Sequence, residues 1–588
     1  MANFVVIVDP DADRRRQFLQ RVREKIAPVD GLQIESFGVG NFAVVWATYD
    51  RATVSSIWST TSAAVIWGDA IPGPGPERLD AAGLADAWKP DKTVPPSFDG
   101  FYAALRYDVH QGLTAGCDLL GFFPVYYATS SDTLLLGASP ELFTYHPAFP
   151  PKVSLEGLTG ILLTHAVFEG RALLSGVRRL RQGHILVWSA RSRPREIVQY
   201  TLPASPRAEA GSFESDVDEL NSVLADAIDR HVPRDGTQGL LLSGGRDSRL
   251  LAGYLHERGD RMHALTLGSS SDYEMISARA VAGALGCVHQ TMELDDAILP
   301  ANARLQAKWE HLGSGFSSVH MWGAIAPLRE LPSRFVSGYN MESRSGERKP
   351  FDGQGLLTGA MRRGIAISQL DRLLRAEVFD GIVDEMRQRL SDVYNASSEI
   401  EAERPWRFLM AHDWRAHAGG VPWKLSFGSW PILPILDRKV IAAIATLPAS
   451  TLANRRAQDA ILRQQFPALA RLPLDRNSHD TLSLLPSSAE RARHSIARVM
   501  EPVTSRFRRR RERRYYHRVY DIDGPGWRAV RQRAERHRER LADLFNMDVL
   551  AEMVPPPDTR VDAADKVRDS FGMKQLIGFM LWSGRHVS

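Results

Sequence analysis

Residues 240–250 read Leu-Leu-Leu-Ser-Gly-Gly-Arg-Asp-Ser-Arg-Leu, an apolar run that breaks into a small polar loop and then restarts with helical spacing. Buried strand, tight loop, amphipathic helix is the local fold this run allows, and it points to a layered α/β protein. Ser243, Gly244 and Gly245 remove side-chain bulk where the chain leaves the strand, so the N–H groups opening the next helix can face an anion. Phosphate is the expected anion. Asp247 would repel a polyphosphate unless a cation lay between them, which marks it as a magnesium ligand. The loop lacks the G-x-x-x-x-G-K-[ST] pattern and its lysine, so it is not a P-loop. Ser248 is suited to cap the helix or to bond a phosphate. The plain alternative is a glycine-containing strand-to-helix turn with no ligand.

Two further segments extend the α/β pattern. Phe213, Val217, Leu220, Leu224, Ala227 and Ile228 recur at helical spacing ahead of the loop strand, with acidic residues between them. After the loop helix, Met262–Gly268 reads as the next parallel strand and Glu274–Leu285 as a helix with Ala278, Val281, Ala282 and Leu285 on one face. This alternation predicts a doubly wound parallel sheet with ligands at the carboxyl ends of its strands. The first 200 residues differ, with short β-branched and aromatic runs, beginning at Asn3–Asp9, separated by turn residues. Gly38-Val39-Gly40-Asn41-Phe42-Ala43 imitates a dinucleotide fingerprint, but Ala43–Trp46 continues as a strand where a helix is required.

A chain of 588 residues with 44% apolar and 24% charged residues is a globular protein of roughly two to four domains. The apolar run Leu576–Trp582 is far short of the ~20 residues of a membrane span. The residues from Asp9 onward, mixed acidic and basic, do not read as a signal peptide. Cys117 and Cys287 are the only cysteines, so no disulfide framework or cysteine zinc site is expected, and a reducing cytoplasm fits. The net charge of +4 conceals an arginine cluster from Arg506 to Arg518 that continues through 528–540. Glu512, Glu535 and Glu539 interrupt it, as in a solvated helical surface, and nucleic acid is not the expected partner.

The S-G-G-x-D-S hexad resembles the pyrophosphate-binding loop of ATP pyrophosphatases, which split ATP into AMP and pyrophosphate while adenylating a substrate. Phe98-Asp99-Gly100-Phe101-Tyr102-Ala103 and Asp118-Leu119-Leu120-Gly121-Phe122-Phe123-Pro124-Val125-Tyr126-Tyr127 resemble phrases of the glutaminase domain of asparagine synthetases. Ala138-Ser139-Pro140-Glu141 and Val177–His184 resemble later phrases of that domain, and the order matches the family across most of the chain. The resemblance implies a glutaminase-like (Ntn-type) αββα sandwich over 1–205. A synthetase domain would follow over 211–588, with a doubly wound parallel sheet and an arginine-rich helical C-terminal part.

For the site, the resemblance implies ATP held by Leu242, Ser243, Gly244, Gly245, Asp247, Ser248, Leu267 and the second motif Ser337-Gly338. That motif is S-G-x-G-x-D-E in asparagine synthetases, and here Glu342 fills the aspartate slot as a second magnesium ligand beside Asp247. Tyr339 stands at its third position, where β-lactam and carbapenam synthetases carry a tyrosine that helps deprotonate an attacking amine. Such a phenol needs a coupled base, for which Glu377 is the candidate, and the alternative is a packing tyrosine. Pro434-Ile435-Leu436-Asp437 matches the family's P-F-L-D, but the lysine of the following helix is replaced by Asp459. The catalytic lysine beyond it has no equivalent, and Arg476 is the candidate to balance the departing pyrophosphate.

The family's glutaminase uses a cysteine at the position of Ala2, so the expected N-terminal domain has the glutaminase fold without the hydrolysis. The expected activity is therefore an ATP- and Mg2+-dependent amide ligase acting on a small-molecule or peptide carboxylate. The amine is carried by the substrate, as in β-lactam synthetases and the macrolactam synthetases of lasso peptides. Partners would then include a precursor peptide and a companion maturation protein, with no membrane. An asparagine synthetase using ammonia is one alternative, and a non-catalytic binding relative is the other.

Overall fold

The computed structural model describes residues 3–89, 94–190, 192–203, 211–293, 295–341, 364–476, 480–508, 514–561 and 570–587. Among the described residues of the first 200 there are twelve strands: β1 Asn3–Val8, β2 Gln33–Val39, β3 Phe42–Thr48, β4 Val54–Trp58, β5 Ser62–Gly68, β6 Tyr102–Asp108, β7 Gly112–Cys117, β8 Tyr126–Ser130, β9 Thr133–Gly137, β10 Val177–Arg179, β11 His184–Trp188 and β12 Arg195–Val198. They form two antiparallel six-stranded sheets, in the orders β10-β8-β9-β1-β3-β2 and β12-β11-β7-β6-β5-β4.

The period-2 pattern of β5 and β6 explains why the sheets stack. Ala63, Val65, Trp67, Ala103 and Leu105 face the first sheet, while Ala64, Ile66, Tyr102 and Ala104 face outward beneath the helix Ala81–Ala87. Between the sheets, Phe4 stacks on Trp67 at 4.0 Å and Phe42 on Tyr107 at 4.6 Å. Helices Ala12–Lys25 and Leu155–Thr164 complete this αββα half. The apparent dinucleotide fingerprint is the β2–β3 hairpin, with Gly40 at φ +59° in its turn.

The second half is built on five parallel strands: β13 Thr237–Leu241, β14 Arg261–Leu267, β15 Val288–Met292, β16 Arg334–Val336 and β17 Trp430–Ile432. Their order is β15-β14-β13-β16-β17. The chain first winds one way from β13, through helices Arg246–Glu257 and Tyr273–Ala284, and then crosses to the other side. The direction of winding therefore reverses at β13, and a crevice opens there between the loops after β13 and β16. Helices dominate the remainder, ending in the buried helix Phe571–His586.

The halves share one continuous apolar core. Gly68, at φ +106°, lies against β17, and a Cβ there would sit 2.1 Å from Trp430 and 2.4 Å from the Phe101 carbonyl. Around this contact Arg334 pairs with Asp69 (2.9 Å), and Arg230 and Arg438 both reach Asp99 (2.8 and 2.7 Å). Among the described residues no helix is long and apolar enough to cross a membrane.

Candidate active site

The loop after β13 is folded by its own small residues. Ser248 does not cap the helix. Its hydroxyl instead accepts from Ser243 N–H and pairs with Ser243 Oγ, both at 3.0 Å, and Gly245 N–H donates to Ser243 Oγ at 3.2 Å. The N-cap of helix Arg246–Glu257 is Gly245, which offers no side-chain oxygen to the first-turn N–H groups. Gly244 is wedged between two other segments: a Cβ would meet both Glu274 Cα and Asp475 Cβ at 2.7 Å, and its carbonyl accepts from Asp475 N–H at 3.0 Å.

The two serine–glycine motifs, separated by some ninety residues, meet in space. A Cβ on Gly338 would lie 2.8 Å from Asp247 Cβ and 3.5 Å from Ser248 N, so only glycine lets the backbone after β16 approach the loop this closely. Ser337 N–H donates to Ile432 O on β17 at 3.0 Å. Leu242 N–H donates to Leu265 O (3.0 Å), and its carbonyl accepts from Thr266 Oγ1 (2.7 Å). Leu267 ends β14, and Gly268 turns away from it at φ +139°. Thus Gly338 of the second motif lies against Asp247 and Ser248 of the first, while Leu242 and Leu267 stand at the ends of the adjacent strands β13 and β14.

Asp247 is partly buried at its floor. One oxygen, Oδ2, lies 3.4 Å from Arg455 Nη1, while Oδ1 is buried without a hydrogen-bond partner. Burial raises its carboxyl above the usual range, and Arg455 and Arg246 oppose that rise. Asn454 and Arg455 are consecutive left-handed residues (φ 55° and 60°), a sharp turn that delivers the guanidinium from a distant segment. Arg455 was not anticipated because it is 208 residues from Asp247 and belongs to no motif. A carboxylate with a buried unpartnered oxygen suits a divalent cation. Glu342, the proposed second ligand, lies outside the described residues.

Alternating charges surround the loop. Arg246 pairs with Asp459, the residue in the family's lysine slot, with Nη2 3.2 Å from Oδ2. Arg514 pairs with Asp475 at 2.9 Å, and Arg518 grips Asp272 at 2.8 and 3.0 Å. Burial and the neighbouring Asp475 raise Glu274 above the usual carboxylate range. Arg476 is half-buried beside Arg246 and Asp459 and donates to Ser483 O at 3.4 Å. Burial and the Arg246 charge lower it.

Tyr339 packs against the buried cluster of Leu265, Phe335, Val421 and Leu425, and its hydroxyl contacts Met321 Sδ at 3.8 Å. Burial raises its phenol well above the ordinary value. Glu377 lies elsewhere. It is exposed, paired with Arg375 at 2.6 Å, in a surface cleft with Ala542, Phe545 and Asn546. The reason is local: Arg375 N–H bonds Leu544 O and Leu374 bridges to Phe545, which fixes this segment on the C-terminal helices.

Comparison with known proteins agrees with this geometry. The family model described as "Glutamine amidotransferase domain" matches residues 87–200, and that described as "Asparagine synthase" matches 219–318, which contains the loop. Asparagine synthetase [glutamine-hydrolyzing] 3 of Bacillus subtilis is 27% identical over 183 residues, covering 30% of this chain and 29% of the relative. A putative asparagine synthetase [glutamine-hydrolyzing] of Mycobacterium bovis is 27% identical over 199 residues, covering 32% of this chain and 30% of the relative. The aligned segments thus span under a third of these relatives. Among solved structures, a glutamine phosphoribosylpyrophosphate amidotransferase from B. subtilis aligns at TM-score 0.22 and 10% identity, over 50% of this chain and 65% of its own. The chain thus carries a glutamine amidotransferase domain followed by an asparagine synthase domain, with the serine–glycine loop inside the second, and is similar in both the names and the order of these parts to asparagine synthetases.

Proposed function

We propose that the protein is an ATP-dependent carbon–nitrogen ligase that adenylates a carboxylate and passes it to an amine, releasing AMP and pyrophosphate. The observation that carries this reading is the meeting of Ser337-Gly338 with Asp247-Ser248 at the point where the sheet reverses its winding. The loop's backbone faces the polyphosphate, and Asp247 would hold Mg2+, which neutralises phosphate charge when bound. Arg455 and Arg476 supply positive charge on the pyrophosphate side. The substrate carboxylate attacks the α-phosphorus, and the amine then displaces AMP from the acyl-adenylate.

The amine in this reading does not come from glutamine. Among the described residues the N-terminal sandwich supplies no thiolate nucleophile: its cysteine, Cys117, is buried in β7, where burial and Asp118 push its thiol well up. Incubation with glutamine is expected to release no glutamate. An amine carried by the substrate itself, giving a lactam or macrolactam, is the finer form of the proposal. Tyr339 contributes to it as a packing side chain on the cluster of Leu265, Phe335 and Leu425, since its hydroxyl faces a sulfur and not a base. The second reading is aspartate amidation: the names of the relatives favour asparagine as product, and free ammonia would here replace the glutamine those relatives hydrolyse.

The test is Mg-dependent pyrophosphate release from ATP with candidate carboxylates, including aspartate with and without ammonium. Asp247→Asn should lower the rate by about 100-fold or more. Asparagine formation would select the second reading. A nucleotide-binding protein that forms no pyrophosphate with any carboxylate would refute both.

A further inference from the structure

Two arginines are buried side by side where the halves meet. Arg179, fully buried, ends β10, opposite Tyr126 of β8, and its guanidinium carbon lies 5.9 Å from the centre of that ring. Arg415, also buried, comes from the second half, on the wide helical turns Met410–Ala418. Both reach the same oxygen. The Gly121 carbonyl accepts from Arg179 Nη2 and from Arg415 Nε, each at 3.2 Å, and the Leu180 carbonyl accepts from Arg415 Nη2. Gly121 permits this approach because it is bare: at φ +65°, an added Cβ would sit 2.7 Å from Arg415 Nε.

Two like charges on one carbonyl repel, and burial takes away the water that would screen them. Burial and the neighbouring Arg179 lower Arg415 to about 10, which leaves it charged near neutrality. Opposite charge is scarce around the pair. Arg179 Nε and Nη1 are buried with no hydrogen-bond partner, and neither guanidinium has an ion pair, among the described residues. Asp118 is buried nearby, but its carboxyl is spent on backbone N–H groups, those of Leu120 (3.2 Å), Phe122 (2.9 Å) and Phe123 (2.7 Å), and burial pushes it up to about 6. Glu196 is held by Arg181 at 2.6 Å and Tyr127 at 2.8 Å, and Glu310 by Lys424 at 3.0 Å. Two guanidinium groups therefore face one carboxylate, and a buried positive charge left over in this way is strongly destabilising unless something balances it.

We propose that Arg179 and Arg415 form a binding site for a small monovalent anion, chloride or the carboxylate of a small acid, seated between the halves. Arg179 supplies the free donors, Nε and Nη1, and the adjacent Arg415 supplies the second charge. One negative charge restores the balance, whereas a phosphate dianion would overshoot it. Burial of the donors excludes a polymer or a membrane surface. Because Arg415 crosses from the second half to grip Gly121 and Leu180 of the sandwich, an anion that quenches the repulsion strengthens the joint between them. None of these residues belongs to the crevice, so the site stands or falls independently of the ligase reading.

The test compares melting of the full chain in chloride, in formate and in gluconate, an anion too large for a buried site, at equal ionic strength. At least one of the small anions is expected to raise Tm saturably, by about 2 °C or more over gluconate, and Arg179→Met to abolish the difference. Whichever small anion is effective identifies the ligand as halide or carboxylate. Wild-type crystals grown in bromide and in formate give a reading that needs no variant: one of the two anions should lie in contact with Arg179 Nε or Nη1. Equal melting in all three salts, a small-anion effect that survives Arg179→Met, or crystals with neither anion beside Arg179 would each overturn the proposal.

Discussion

Gly338 and Gly244 owe their identity to what lies against them. Neither has a left-handed backbone, so conformational freedom is not the reason. The space a methyl group needs is occupied by Asp247 Cβ in one case and by Glu274 Cα and Asp475 Cβ in the other. Overpacking of this kind costs about 1–3 kcal/mol, and at Gly338 the strain falls directly on the loop carboxylate. Gly338→Ala is therefore expected to weaken Mg·ATP binding by roughly 5- to 150-fold in a titration calorimeter while leaving the thermal transition nearly in place. Gly283→Ala is the control, since nothing stands within 4 Å of its added Cβ. Equal ATP affinity in the Gly338 variant would mean that the nucleotide does not use this crevice.

At the scale of elements, legibility followed periodicity and length. Helices Phe213–His231 and Tyr273–Ala284 and strand β14 are long enough for their apolar spacing to declare them, and β13 is marked by the loop that ends it. Strands β16 and β17 have three residues each, too few for a period, so the far side of the sheet was visible only as the motif following β16. Tyr339 could be placed near the loop by adjacency to Ser337-Gly338. Glu377 could not, because no pattern reports that Arg375 and Leu374 are fixed to the C-terminal helices. Wholly hidden was the ion pair between helices Leu299–Glu310 and Gly420–Leu425. There buried Lys424 reaches Glu310 at 3.0 and 3.2 Å and Ser318 at 2.7 Å. Trp322 Nε1 adds a fourth donor contact to this group, at 3.1 Å from Glu310. Lys424→Met strands a buried carboxylate and is expected to cost about 3–5 kcal/mol, a clear drop in Tm, whereas Lys424→Met with Glu310→Gln should recover much of it. If the single variant melts like the wild type, the pair is not buried as described.

The whole molecule is held together by contacts between its halves, and one of these includes a histidine, His311, that burial keeps neutral. Glu141, from the sandwich, is buried among donors from the second half: Arg585 at 2.6 Å, His586 at 3.1 Å and His311 at 3.2 Å, with Tyr145 at 3.0 Å from its own half. Trp582 Nε1 donates to His311 Nδ1 at 2.9 Å, so the proton of this ring is on Nε2, facing Glu141. Burial lowers His311 to about 4, and likewise His320 and His412 to about 3. Near and below pH 6.5 the unfolded chain takes up protons that these folded rings refuse, so stability falls with pH, by about 1.4 kcal/mol per unit for each ring, until the folded values are reached. Burial alone would raise Glu141, but the hydrogen bond from His311 and the closeness of His586 hold it far below the usual carboxylate range. Its contribution is complete above about pH 4.5 and is lost as the pH drops further, in the same direction. The melting temperature should therefore be highest near neutrality and decline steeply between pH 6.5 and 4, with His320→Phe flattening the upper part of that decline. A melting temperature level from pH 7 to 4.5 would mean that these imidazoles reach water in the folded chain, and, for His311 and His412, that the seam between the halves is wetter than its packing implies.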